Sequence, residues 1–435
     1  MKPQFFRHSR SIASTAIAAA ALAACGGGGG GDGITSRIPP VTMGTVSVAA
    51  MTDAPSCGLD EVNVSIARIR FHTDAQAAAG ASGWQELTFS PSKKVNLLNL
   101  ASVLGGATTA YGDLSLPTGI YTQMRLVIET PTTANVAPNT IKLAGATSTV
   151  TLEIPGALAT DGVKMPIDLK VEEGKKTNVV FDFDACTSIQ PRAAAYVLRP
   201  LARVVPSTLN GISGFVDKAV LGSGVVITAQ QGGAIFTTTV PNPTTGEFLL
   251  PRLMAGKYDV VMTGKGRTAS VIGQVPVDAG SIVAVSTVAA PITLTTSAVS
   301  KISGQIGYAA GKAAPDSGTF VAASQSINAV AAVGNPATVI TYRFQPVDQA
   351  TGNYVLNDLP RTSLRYALYK PALPLTLAAI ATTPVAGRWK VEAVANGYSR
   401  VTTFGTNSTG VPVATATTDL DARTADVVNA NIIFY

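Results

Sequence analysis

Charge is what this sequence has least of. Asp, Glu, Lys and Arg make up 13% of the 435 residues, about half the roughly 25% of an ordinary globular chain. The polar surface must therefore come from Thr, Ser, Asn and Gln. The formal net charge is +6; Lys2, Arg7 and Arg10 supply three of it, which leaves 6 − 3 = +3 for the rest. No basic cluster with interleaved aromatics occurs, so nucleic acid is not an expected partner. Histidine is almost missing: beyond His8 there is only His72. Ser-His-Asp and Cys-His chemistry both need an imidazole, and His72 reads as a solvated residue at a strand end. The three cysteines form no CxxC pair, which argues against a zinc or dithiol site. No GxxxxGK[ST] phosphate loop is present.

What the sequence does have begins at its start. Lys2, Arg7 and Arg10 precede a thirteen-residue apolar stretch, Ser11 to Ala23, too short to span a bilayer, which takes about 20 residues. A positive start, a short apolar core and small residues after it describe a secretory signal peptide over residues 1–24. Leu22-Ala23-Ala24-Cys25 resembles the lipobox of bacterial lipoproteins. The resemblance implies cleavage before Cys25, lipid on its sulfur and an acylated amine. Each buried methylene contributes about 0.8 kcal/mol to such an anchor. Gly26 stands where aspartate would signal inner-membrane retention, which implies the outer membrane; its periplasmic or outer face is not specified. The glycine run after Cys25 reads as a flexible tether over 25–42. A soluble secreted protein cleaved nearby is the alternative.

Cys57 and Cys186 remain, an even pair in an oxidising compartment. They are expected to form a disulfide, two free thiols being the alternative. From Met43 to about Val205 the apolar residues alternate. In "YTQMRLVIE" Thr122, Met124, Leu126 and Ile128 share one face, while Tyr121, Gln123, Arg125 and Glu129 point mostly to the other. In "TNVVFDFD" Val179, Phe181 and Phe183 oppose Asn178, Asp182 and Asp184. Both patterns read as half-buried antiparallel strands. In "VNVSIARIRFH" the apolar parity switches at Ile66–Ala67, which predicts a β-bulge or a strand passing between two sheets. "DAQAAAGASGW" reads as a hairpin-tip loop.

The ordered set "MTDAP", "DEVNVSIARIRFH", "GWQELTF", "VNLLNL", "LPTGIYTQMRLVIE", "VEEGKKTNVVFDFDA" and "YVLRPLARVV" resembles the domain of unknown function 4382 family. It extends over about residues 43–206, placed here as a β-sandwich domain at 43–207. The family occurs in exported, often lipid-anchored proteins and carries no established activity. The remainder holds a degenerate repeat. Ile212-Ser213-Gly214, Thr245-Gly246-Glu247-Phe248 and Ala255-Gly256-Lys257-Tyr258 recur as Ile302-Ser303-Gly304, Thr351-Gly352-Asn353-Tyr354 and Ala386-Gly387-Arg388-Trp389. The order is similar to carboxypeptidase regulatory-like (transthyretin-like) modules. It implies one β-sandwich at 208–298 and an insertion-bearing second at 299–435, with "PALPLTLAAIATTPVAG" an exposed inserted loop. Thr-Gly and Ala-Gly supply hairpin turns, and the following aromatics enter the core.

The fold class is therefore all-β: tandem antiparallel β-sandwiches, Ig-like or transthyretin-like. Candidate sites are few. Asp182 and Asp184, with Asp168, could hold calcium or act as paired carboxylates, and otherwise are surface residues. Asp53 reads as an Asx-turn before Pro55 or as a ligand residue. Trp84 and Trp389 read as core residues or sugar-stacking platforms. No catalytic set and no cofactor are expected. "VNANIIFY" reads as the last sandwich strand, closed by Tyr435. The expected function is a non-enzymatic cell-envelope lipoprotein, monomeric, held to the membrane by its lipid, with an adhesive or scaffolding surface for a protein or glycan. The alternatives are a module binding carbohydrate, peptidoglycan fragments or calcium, and an atypical enzyme in which Asp182, Asp184, Asp168 or His72 converge.

Overall fold

In the computed structural model, the first strand among the described residues, Met43–Met51, buries Val46, Val48 and Ala50 on one face. The structure describes residues 41–51, 59–100, 109–193, 195–315, 318–329, 336–395, 397–398, 401–402, 405–406, 412–413 and 419–435. Cys25, Asp53 and Cys57 lie outside them, as does the side chain of Cys186. The described chain is a series of β-sandwiches, and Thr42–Tyr435 forms one compact unit.

In the first sandwich a four-stranded sheet has the order Leu201–Val205, Lys176–Asp184, Met43–Met51, Thr109–Pro117. It faces a larger sheet built on Leu59–His72, flanked by Gly119–Ile128, Gln85–Asn96 and Thr140–Leu143. The core between them holds Ile69, Phe71, Met124, Leu126, Phe181 and Phe183. The parity switch in Leu59–His72 is a bulge: its register with both Gln85–Asn96 and Gly119–Ile128 shifts between Ile66 and Arg68. A second bulge, between Tyr121 and Gln123, turns Tyr121 into the core, against the alternation read from sequence.

The expectation of half-buried strands fails on the far faces. Gln123, Arg125 and Val127 are buried as well as Met124 and Leu126, and Asp182 is only 2% exposed. The 73–84 segment is the hairpin tip between Leu59–His72 and Gln85–Asn96, as expected, and it folds back over the outer face of the larger sheet. Pairing is mainly antiparallel, yet each sandwich also has one parallel pair involving its first strand. These pairs are Met43–Met51 with Lys176–Asp184, Gly211–Phe215 with Ile282–Ala284, and Val299–Tyr308 with Ile432–Phe434.

The repeat residues take equivalent places. Gly246 and Gly352 lie in the left-handed region, at φ 77° and 73°, which favours glycine. A Cβ on either would run into a main-chain oxygen, that of Val216 or Ile306. The same two oxygen-bearing residues, Val216 and Ile306, donate their N–H groups to the Gly246 and Gly352 carbonyls, each at 2.8 Å. The aromatics after the turns, Phe248, Tyr258, Tyr354 and Trp389, are all buried.

The second and third sandwiches share material. Strand Gly256–Thr263 turns Val260 and Met262 to one core and Val261 to the other; Ser270–Val277 divides Ile272 and Val271 in the same way. Such two-sided burial explains the consecutive apolar residues Val260-Val261-Met262 and Val271-Ile272. From the second repeat copy, Arg365–Leu368 crosses to pair in parallel with Ser270–Val277, and Ala378–Ala379 adds the outermost strand. The first part of the inserted segment, exposed as expected, is therefore an arm on the second sandwich, with Leu375 and Leu377 packed against its core, while Thr382–Thr383 returns to pair with Thr319–Ile327 of the third sandwich. Polar groups complete the join. Gln230 donates to the Thr341 carbonyl at 2.8 Å and accepts from the Thr341 N–H at 2.9 Å. The first sandwich also touches the third: Gln349 donates to Gln190, and the Asp348 carboxylate accepts from the Ala193 N–H. At the end of the chain Phe434 fills the core while Tyr435 is exposed, which corrects the closing role expected of Tyr435.

Candidate functional site

The densest cluster of charged and aromatic groups lies under the 73–84 segment. Strand pairing places Arg70 opposite Arg125 on one side and opposite Glu86 on the other. His72 stands two residues further along, opposite Gln123. Two arginines directly across a ladder repel, and both are nearly buried. Three kinds of contact offset this. The Glu86 carboxylate lies 2.7 Å from Arg70 Nε. Main-chain carbonyls take most of the remaining donors: Arg70 donates to Ala79, and Arg125 to Ala77 and Asp161, each at 2.8 Å, while Arg125 Nε donates to Gln123 at 2.6 Å. The third contact is the indole of Trp84, whose ring centre lies 4.5 Å from the Arg70 guanidinium carbon and 5.2 Å from that of Arg125. Cation–π attraction of this kind contributes about 0.5–2 kcal/mol. Burial lowers the Arg125 pKa, with Asp161 opposing and Arg70 adding to the shift; the group stays cationic.

His72 belongs to the same clamp. Its Nδ1 accepts from the Asp74 N–H at 2.9 Å, so its Nε2 carries the proton and donates to the Ser82 carbonyl at 2.9 Å. Its ring lies 4.9 Å from Trp84, whose Nε1 donates to the Ala78 carbonyl. Gln123 donates to the Asp74 carbonyl, and Thr122 to that of Thr73. His72 is thus not the solvated strand-end residue the sequence suggested. Trp84 is a half-exposed rivet whose ring is engaged by Arg70, Arg125 and His72. The chemistry available here is fixation of a loop. The sequence signal was present, in three basic side chains at alternate positions of "RIRFH", but nothing in it says that the loop returns to them.

The carboxylates do not converge. Asp168 is exposed on the larger sheet, whereas Asp182 and Asp184 lie on the smaller one. Asp184 caps the short helix Ala185–Ser188 by accepting from the Thr187 N–H at 2.9 Å. Asp182 is buried, correcting the surface position expected for it. Its Oδ2 lies 2.7 Å from Arg203 Nη2, and its Oδ1 has no hydrogen-bond partner among the described residues. Burial pushes its pKa up to about 6, with Asp184 adding and Arg203 opposing. Arg203 loses that contest because its side chain is 41% exposed and its charge is screened by water. Among the described residues no group of three or more His, Cys, Asp or Glu is placed to hold a metal ion. Trp389 is fully buried in the third sandwich, edge-on to Tyr342 at 4.5 Å.

No curated protein matches the chain. Three solved structures give low-level likenesses. A type II cohesin–X-dockerin complex from Acetivibrio cellulolyticus has 22% identity over 21% of this chain and 59% of that one, with a TM-score of 0.17. The Bacillus anthracis TIE protein has 9% identity over 90% of this chain and 50% of that one, with a TM-score of 0.14. A streptococcal ancillary pilin has 10% identity over 89% and 98%, with a TM-score of 0.16. The chain thus spans 59% and 50% of the first two, and TM-scores this low support no argument from any of them. The firm relationship is of the first sandwich alone: residues 43–200 match the family model described as Domain of unknown function (DUF4382).

Proposed function

We propose that this chain is a non-enzymatic lipoprotein of the cell envelope, in which a lipid on Cys25 and a glycine-rich tether hold a rigid β-sandwich array as an adhesive or scaffolding surface. The observation that carries this reading is the order of its parts. A basic start, a short apolar run and Leu22-Ala23-Ala24-Cys25 precede a run of glycines, and strand structure follows from Met43. The repeats at 208–298 and 299–435 are, on this reading, carboxypeptidase regulatory-like modules used as spacers. The placement of the reactive candidates supports a non-catalytic role. Asp182 faces Arg203, Asp184 caps a helix, Asp168 lies on another sheet, and both nitrogens of His72 are engaged. The carbohydrate alternative is weakened at Trp84, whose ring already stacks with Arg70, Arg125 and His72. Outer-membrane residence is part of the proposal. It is tested by sucrose-gradient separation of the two membranes, followed by protease shaving of intact cells. Recovery with the outer membrane together with loss on shaving is expected for a surface adhesin. Recovery in the soluble periplasm or culture medium overturns the anchored reading.

A further inference from the structure

Where the arm from the second repeat copy crosses the second sandwich, it leaves a groove of about 270 Å³. One wall carries Val285 and Ile292, the other Leu375, Thr376 and Leu377. Among the described residues Arg365 is the only charged one lining it. Its Nη2 donates to the Leu377 carbonyl at 2.6 Å, and it has no carboxylate partner among the described residues. A cation among apolar side chains and the hydroxyls of Ser286, Thr293 and Thr376, with no acid opposite among the described residues, is complementary to a carboxylate. The second feature is the sheet edge. Ala378–Ala379 ends a six-stranded sheet, so one side of its main chain has no strand partner among the described residues. Such an edge pairs readily with an added extended segment.

From these two features we propose that the groove captures the apolar C-terminal tail of a partner polypeptide. The terminal carboxylate sits on Arg365, and the main chain runs along 374–379. The walls mix apolar side chains with the hydroxyl of Thr376, which suits a peptide better than a bare acyl chain. The site is independent of whether Cys25 carries lipid.

The test is fluorescence anisotropy with the full chain and a fluorescein-labelled Ala-Ala-Val-Leu-Val peptide, made with a free carboxylate and as the C-terminal amide. Saturable binding of the acid is expected, with the amide weaker by about tenfold or more, the size of a lost charge-assisted hydrogen bond. Arg365→Gln should weaken the acid to the level of the amide. Because Arg365 also holds the arm, Thr376→Trp serves as a second variant. It fills the groove from an exposed position and should abolish binding with the melting temperature unchanged. Equal binding of acid and amide, or no saturable binding of the acid, overturns the proposal. Binding of decanoate but not of the peptide overturns it in favour of free fatty acids.

Discussion

Replacing Asp182 by Asn should make the protein more stable at neutral pH, and by an amount that depends on pH. The carboxyl is 2% exposed and has one partnerless oxygen, and burial pushes its pKa up to about 6. In the unfolded chain an aspartate titrates near 3.9. A carboxyl whose folded pKa is raised contributes its stability fully below about pH 4, in the neutral form, and that contribution is lost as pH rises through about 6. The difference of about two units corresponds to roughly 3 kcal/mol. Asn has similar size and hydrogen-bonding groups but no charge, so it escapes this loss. Urea unfolding of wild type and Asp182→Asn at pH 4 and pH 7.5 measures the effect. Because the unfolded carboxyl is already half ionised at pH 4, the variant's advantage over wild type should grow by about 2 kcal/mol between the two pH values. Carboxylates held low, such as Glu172 beside Lys170 and Lys175 and Asp421 beside Arg423, both at about 2, behave oppositely. Their contribution is present above about pH 4 to 4.5 and is lost as pH falls through about 2, and it cancels between wild type and variant. A stability difference that is flat from pH 4 to 7.5 would refute the reasoning, because Asp182 would then be ionised throughout as the partner of Arg203.

Other substitutions test other parts of the structure. Trp84→Ala removes the ring between Arg70 and Arg125 and should cost about 2–4 kcal/mol, with faster hydrogen exchange confined to the 73–84 segment. Gly246→Ala and Gly352→Ala each force a side chain into a left-handed turn and against a carbonyl. Each should cost about 1–3 kcal/mol by thermal unfolding, and equal effects would support the equivalence of the two repeats. Gln230→Ala strands the Thr341 N–H and carbonyl in a buried join. A loss of about 2–4 kcal/mol is expected, and a change below about 0.5 kcal/mol would mean that water replaces the amide.

How much of this was legible in the sequence differs from place to place. The bulge at Ile66–Arg68 was readable because a one-residue slip flips the apolar parity. The turns at Gly246 and Gly352 were readable because only a few residue types adopt that backbone. The burial of Arg125 and Asp182 was not, because alternation reports which face meets the core but not whether a distant loop or strand covers the other face. The arm at 365–379 was missed for a related reason. Its short strands have no periodicity of their own, and their partner, Ser270–Val277, is distant in sequence. The consecutive apolar residues Val260-Val261-Met262 within Gly256–Thr263 were the available signal that a second core lay behind it. For the clamp, "RIRFH" marked a polar outer face, but the carbonyls that satisfy it come from residues 77–79 and 161, which no local pattern connects to it.

The central claim rests on Cys25, and metabolic labelling with radioactive palmitate in the native host tests it most directly. The account predicts label on the wild-type protein, none on Cys25→Ser, and loss of the variant from the membrane fraction. An unlabelled wild-type protein, or equal label on both, would contradict it.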